Sequence, residues 1–286
     1  MKKLQLLLFA LFVVNGITAQ ENTPKIRLSE FHFQNGIVFN SNQRFGVMDF
    51  KRLAPNSELL AQDLSSFYGN NDFFDNFPNS SNYTSIQLGL TFHSKPNPLW
   101  RIGISHVVLG DISKDFSRYT TLPYDTLTSS QTGEQYFLDS IYDEGLSMRY
   151  SAQQLRLETS LIFRTDPLKR WSLYAGVGMT FGISYMATTT IDYRISSSLL
   201  SSNFQSYYST NDYQEKQEYF MNETNWSSSF FIPMGVDFCL GKKRDFWKRM
   251  HVYYEMKPSI TYTSIPELKR ITNVNMINSF GLKVSF

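Results

Sequence analysis

Cysteine is almost absent: Cys239 is the only one among 286 residues. A disulfide framework needs pairs and a thiolate metal site needs several ligands, so both are excluded. A lone thiol in an exported chain serves as a small hydrophobe, facing a core or lipid. Charge is scarce as well, at 18% of residues against about a quarter in soluble domains. Without Lys2 and Lys3, which belong to the amino-terminal segment discussed next, 27 − 2 = 25 basic residues face 25 acidic ones. A net charge of zero provides no basic footprint for nucleic acid. Beyond residue 19 there is no run of about 18 apolar residues, which excludes membrane-spanning helices. Aromatics, by contrast, are plentiful at 16%.

Residues 1–19 carry Lys2-Lys3, an apolar stretch over 4–14 and small Ala19 at their end. This is the layout of a secretory signal peptide, and no cysteine follows it to take a lipid anchor. Residues 20–286 are then expected to form one domain.

Eight segments alternate strictly between apolar and polar or small residues, the period-two signature of strands. The cleanest spans 171–187: Leu173, Ala175, Val177, Met179, Phe181 and Ile183 oppose Tyr174, Gly176, Gly178, Thr180, Gly182 and Ser184. The others span 27–40, 83–94, 99–110, 149–164, 226–240, 251–262 and 275–286. In the last, Met276, Asn278, Phe280, Leu282, Val284 and Phe286 oppose Asn275, Ile277, Ser279, Gly281, Lys283 and Ser285. The connections alternate too. Those at 95–98, 165–170 and 241–250 are short, those at 41–82, 112–148 and 188–225 are long, and 263–274 is intermediate. All the long loops therefore sit on one rim, as in outer-membrane barrels with short periplasmic turns and long extracellular loops. Within the first loop, residues 57–68 read as a short amphipathic helix.

The expected fold is thus all-β, an eight-stranded antiparallel transmembrane β-barrel with long extracellular loops in the bacterial outer membrane. Seven aromatics are expected in interfacial girdles: Trp100, Trp171 and Trp247 on the turn side, and Tyr83, Tyr150, Trp226 and Tyr262 on the loop side. The apolar face is assigned to lipid because the other face holds glycine and serine with few charges, which suits a narrow lumen. By strand parity that lumen receives Glu30, Arg101, Arg156, Glu158, Asp237, Glu255, Lys257 and Lys283, together with Tyr174, Tyr253, Gln87 and Gln154. Four acids and four bases are expected to pair, because unpaired buried charge is very costly. The pattern predicts a salt-bridged plug, with a charge-lined conducting path as the alternative.

With its four outer loops, closing strand and terminal Phe286, the chain resembles the small OmpA/OmpX-type outer-membrane barrels of Gram-negative bacteria, and also the PorT-like outer-membrane barrel proteins. The resemblance implies that the last strand is read by the barrel-assembly machinery, with Gly281, Leu282, Val284 and Phe286 as the matching signal. Outer-membrane lipid and a surface or secretion-system protein, reached through the long loops, are the other implied partners.

Chemistry-bearing residues are few. Ser105 and His106 lie near the loop rim, where some eight-stranded barrels deacylate lipid A, but adjacent strand residues point to opposite faces and cannot form a pair. No catalytic residue, cofactor or metal site is expected. Asp125-Thr126-Leu127 and Asp139-Ser140-Ile141 look like the O-glycosylation tripeptides of some Gram-negative bacteria. The leading expectation is a non-enzymatic outer-membrane protein acting through its loops in binding, envelope integrity or secretion. A small-solute channel is the second reading and a rim-located lipid-modifying enzyme the third.

Overall fold

The computed structural model describes residues 26–40, 45–69, 79–92, 97–166, 169–201, 207–241, 244–268 and 270–286. The signal peptide expected at 1–19 lies outside them. The elements are β1 (Ile26–Asn40), α1 (Val47–Leu53), α2 (Glu58–Ala61), β2 (Tyr68–Gly69), β3 (Asn79–Phe92), β4 (Leu99–Thr128), β5 (Gln135–Arg164), β6 (Trp171–Ser201), β7 (Tyr207–Met221), β8 (Trp226–Phe231), β9 (Met234–Cys239), α3 (Asp245–Arg249), β10 (Met250–Ser264) and β11 (Ile271–Ser285).

An antiparallel ring closes on itself. Its order is β1, β3, β4, β5, β6, then β8 with β9, then β10 and β11, which pairs back to β1 from Glu30↔Ser285 to Asn40↔Asn275. The ring therefore has eight staves, one of them broken. The break falls at Pro233, which has no N–H for a ladder. Its carbonyl still accepts from Gly176 N at 2.9 Å, so the stave stays attached.

Side chains sort by parity as the alternation requires. Phe33, Ile37, Ile86, Leu88, Ile104, Leu157, Val177, Phe181, Phe230 and Leu282 are exposed on the outside of the ring. The glutamines, serines and charges between them are buried inside. On β6, residues 173–183 satisfy the roughly 9–11 residues that a tilted strand needs to cross a bilayer. An apolar belt around a whole barrel, far larger than a soluble monomer exposes, is explained by lipid. Among the described residues no helix is long and apolar enough to cross a membrane. The crossing is made by strands, in the even-numbered closed form of bacterial outer-membrane barrels.

Three sequence expectations need correction. Two of the seven girdle aromatics, Tyr83 and Tyr150, are 0% and 1% exposed and point inward. Each lies on the lumen parity of its own strand, so the face of the strand overrode the preference of an aromatic for the interface. Trp171, Trp226, Trp247 and Tyr262 are exposed, and Trp100 stacks on Phe92 at 6.2 Å. The loops expected at 112–148 and 188–225 are largely strand: β4 continues to Thr128, β5 begins at Gln135, and β6 and β7 form a second tall hairpin. Backbone pairing continues where the alternation fades, because above the membrane both faces of a strand can meet water. Finally, the expected helix at 57–68 shrinks to Glu58–Ala61, with a longer helix before it at Val47–Leu53.

Candidate functional site

The barrel interior is a stack of polar groups. On the turn side, Arg164 forks onto both carboxylate oxygens of Glu30, and His32 Nε2 lies 2.9 Å from Glu30 Oε2. Lys283 Nζ bonds Asp237 Oδ2 and lies 3.6 Å from Glu30 Oε1. His251 Nδ1 lies 3.0 Å from Asp237 Oδ1. One more layer in, Arg101 Nη1 donates to Glu255 Oε2 at 2.6 Å and its guanidinium sits 4.8 Å over the Tyr174 ring. Lys257 Nζ bridges Glu255 Oε1 at 3.2 Å and Glu158 Oε2 at 3.3 Å and donates to the Tyr83 hydroxyl at 2.7 Å. Tyr83 and Gln87 in turn donate to Glu158 Oε2 at 2.9 and 2.7 Å. The Gln34 amide completes this layer when its nitrogen faces Glu255 Oε1 and its oxygen faces Lys257 Nζ, at 3.2 and 2.8 Å. Turned the other way, its oxygen would meet only acceptors.

Glycines make room for these large groups. A Cβ on Gly281 would lie 2.2 Å from Tyr253 Cζ, and one on Gly182 would lie 2.5 Å from Arg156 Cγ. The small residues of the lumen parity are therefore the space into which the neighbouring strands extend long side chains.

Toward the loop side amides and hydroxyls take the place of carboxylates as partners. Arg156 Nε donates to Gln154 Oε1 at 3.0 Å, and Ser227 Oγ donates to the same oxygen at 2.8 Å. Gln154 Nε2 donates to Asn225 Oδ1 at 2.6 Å, and Asn225 Nδ2 donates to the Tyr150 hydroxyl at 2.8 Å.

Above this the mouth is capped by the first long loop. Phe50, Leu53 and Ala54 at the end of α1, Leu59 and Leu60 of α2, and Phe67 pack with Leu146, Met148, Tyr150, Ala152, Ala187, Ile191, Ile265 and Ile271 in one apolar cluster. The cap is also tied by polar contacts. Ser57 Oγ caps α2 by accepting from Leu60 N at 3.1 Å and donates to Glu218 Oε2 at 2.5 Å. Asn222 Nδ2 donates to Leu53 O at 2.7 Å, and β2 pairs with β4 through Tyr68↔Ser117 and Gly69↔Phe116. Arg118 lies over the Phe67 ring, donates to Ser66 Oγ at 2.9 Å and donates to Glu144 Oε2 at 2.5 Å, where the Tyr193 hydroxyl also donates. Burial by itself would raise the Glu144 carboxyl, but the Arg118 and Tyr193 donors outweigh it and hold the group below its ordinary value. The stability from this clamp is therefore fully present above the ordinary glutamate range and is lost as pH falls through the lowered value.

All eight charges assigned to the lumen by parity, Glu30, Arg101, Arg156, Glu158, Asp237, Glu255, Lys257 and Lys283, are buried inside the ring. The structure adds Arg164, His32 and His251 to their contacts. Arg164 lies on the lumen parity of its strand, and that was the signal available for it in the sequence. Gly281, Leu282, Val284 and Phe286 form the end of the closing strand, with Leu282 and Phe286 exposed toward lipid and Phe286 N donating to Ser29 O at 2.9 Å. Ser105 is buried in the lumen, while His106 points outward with Nε2 2.9 Å from the Tyr185 hydroxyl, so the two do not meet. Among the described residues no group of three His, Cys, Asp or Glu could hold a metal ion. Of the two glycosylation tripeptides, Thr126 is exposed. Ser140 is 8% exposed, which removes it as an accessible acceptor.

Neither a protein-family model nor a curated protein sequence matches the chain. Solved structures similar to it include Neisserial surface protein A, at 10% identity over 91% of this chain and 99% of that one, with a TM-score of 0.31. Ail, the attachment invasion locus protein of Yersinia pestis, matches at 10% identity over 90% and 99%, with a TM-score of 0.26. The transport unit of the autotransporter AIDA-I from Escherichia coli matches at 8% identity over 97% of each chain, with a TM-score of 0.21. Overlaps this shallow add nothing to what the closed ring, its apolar belt and its polar interior establish. The chain is a small β-barrel of the bacterial outer membrane.

Proposed function

We propose that this barrel neither catalyses nor conducts, and that its work is done by the hairpins it raises above the membrane, in adhesion, envelope integrity or support of a secretion system. The observation that carries this reading is the double closure of the bore, by paired charges within the membrane and by the apolar cap at the mouth. Eight strands leave an interior that side chains alone can fill. A small-solute channel would need an open path through both layers. A rim enzyme would need a nucleophile beside a base, and His106 points outward to the Tyr185 hydroxyl while Ser105 is buried in the lumen.

The hairpin formed by the outer parts of β4 and β5 carries the surface meant for a partner. Tyr119, Leu122, Tyr124, Leu127 and Phe137 are exposed on it, well above the lipid belt, and aromatics are the residues most enriched in protein interfaces. The partner class is a surface or secretion-system protein, and lipid surrounds the belt. Chymotrypsin added to intact cells is expected to cut at Tyr119, Tyr124 or Phe137 and leave the barrel whole. Cleavage only after the outer membrane has been permeabilised would contradict surface display.

Assembly is the second part of the proposal. Phe286 closes the last strand, and with Gly281, Leu282 and Val284 it is the segment offered to the barrel-assembly machinery. Deleting Phe286 is expected to reduce outer-membrane insertion several-fold, whereas trimming the tip of the 112–148 hairpin leaves it unchanged. Equal insertion of the two variants would reduce Phe286 to lipid-facing bulk.

A further inference from the structure

The turn before β6 and the turn after β9 are strongly basic. Residues 165–170 hold Lys169 and Arg170 against Asp166, and residues 241–250 hold five bases against Asp245, seven bases to two acids in all. Both acids are engaged within their own turns, Asp166 by Lys169 at 3.8 Å and Asp245 by Lys248 at 3.0 Å. Arg170, Arg244 and Arg249 are exposed. Among the described residues no carboxylate, the chain terminus included, lies within ion-pair distance of these three.

The two turns are neighbours on the rim. Trp171↔Phe238 is the outermost rung between β6 and β9, and Cys239 N donates to Arg170 O at 2.9 Å, which carries the pairing one step further. Cys239 in turn opposes His251 on β10, and its Sγ lies 3.5 Å from Lys248 O. Asp237 is buried in the lumen, so Phe238, the next residue of the strand, lies on the lipid face. The Arg170 guanidinium sits 4.7 Å over the Phe238 ring. Trp171 packs on the same ring at 4.4 Å and is itself exposed. A guanidinium is thus held by an aromatic ring on the outer face of the barrel, at the level where aromatic girdles meet lipid headgroups. Among the described residues no protein acceptor takes its N–H groups.

We propose that this rim binds the headgroup of an anionic glycerophospholipid of the periplasmic leaflet, with the phosphate on Arg170 and the acyl chains running along Phe238, Trp171 and the belt of β6 and β9. A guanidinium presents a planar fork of donors that matches phosphate, and stacking on a ring holds that fork ready. The belt beginning at the same rings favours a lipid over free phosphate, because it gives the acyl chains a surface continuous with the headgroup site. The surrounding bases set the preference among lipids. Basic clusters beside a membrane attract anionic headgroups, whereas the ammonium of a zwitterionic headgroup meets Arg244 and Arg249 as like charges.

The test uses the mature chain refolded in non-ionic detergent, with phosphatidylglycerol or phosphatidylethanolamine of identical acyl chains added and bound lipid counted by native mass spectrometry. Wild type is expected to hold phosphatidylglycerol about tenfold more tightly than phosphatidylethanolamine. Arg170→Gln, a change at an exposed turn position that leaves the ladder intact, is expected to lose most of that preference. Arg170→Lys, which keeps the charge without the fork, is expected to fall between the two. Heat-modifiable gel migration checks that each variant has closed its barrel. Equal affinity of wild type for the two lipids would overturn the proposal, as would a full preference for phosphatidylglycerol in Arg170→Gln. Displacement of the lipid by an equal concentration of inorganic phosphate would make the free anion the ligand and overturn the lipid assignment.

Discussion

Replacing Glu255 by alanine is expected to destabilise the folded barrel by about 3–5 kcal/mol, the usual cost of removing one member of a buried ion pair. Glu255 is 0% exposed and holds two cations, Arg101 at 2.6 Å and Lys257 at 3.2 Å. Lys257 keeps Glu158 at 3.3 Å, so the loss falls mainly on Arg101, which has no other carboxylate within ion-pair distance among the described residues. That asymmetry gives a second, sharper expectation. Combining Glu255→Leu with Arg101→Met should restore most of the lost stability, because the unpaired charge and its partner leave together. Urea unfolding of the refolded protein in detergent measures both variants. An unchanged midpoint for Glu255→Ala would mean that these charges line water and do not hold each other.

The second large effect is expected in the cap. Leu60→Asp places a carboxylate in the apolar cluster, among Phe50, Leu53 and Leu59 of the cap and Met148 and Ile191 of the wall. Losing such a buried leucine alone costs about 2–5 kcal/mol, and an unpaired charge adds to it. The population of the open cap should rise by roughly 30-fold or more, since about 1.4 kcal/mol is a factor of ten. Residues 45–69 should then become protease-sensitive while the ring keeps its unfolding temperature. The ring is stitched by its own ladder from β1 round to β11 and does not need the cap. Equal protection of 45–69 in variant and wild type, or collapse of the ring together with the cap, would contradict this division.

Much of the architecture was legible because one physical contrast, lipid outside and packed polar groups inside, stamps a period of two on every crossing strand. The same rule sent Glu30, Glu255 and Lys257 inward without any knowledge of their partners. It would also have recovered Arg164, which continues the parity of Gln154, Arg156, Glu158 and Ser160. Tyr83 and Tyr150 point inward because the face of the strand outranks an aromatic's preference for the interface. The tall hairpins were hidden because the contrast ends with the membrane: residues 119–128 are exposed nearly throughout, so nothing alternates. The cap was hidden for another reason. Its helices are 7 and 4 residues long, too short for a 3.6-residue period to register. Arg156 shows a further limit, since parity counts charges on a face but does not say which ones meet.

The sealed bore is the central claim, and single-channel recording on the purified protein in a planar lipid bilayer tests it most directly. The account predicts no more than brief, small events in the wild type, since the charge layers around Glu158, Glu255 and Lys257 and the cap above them each close the path. Large, stable openings in the wild type would contradict it and make the barrel a channel.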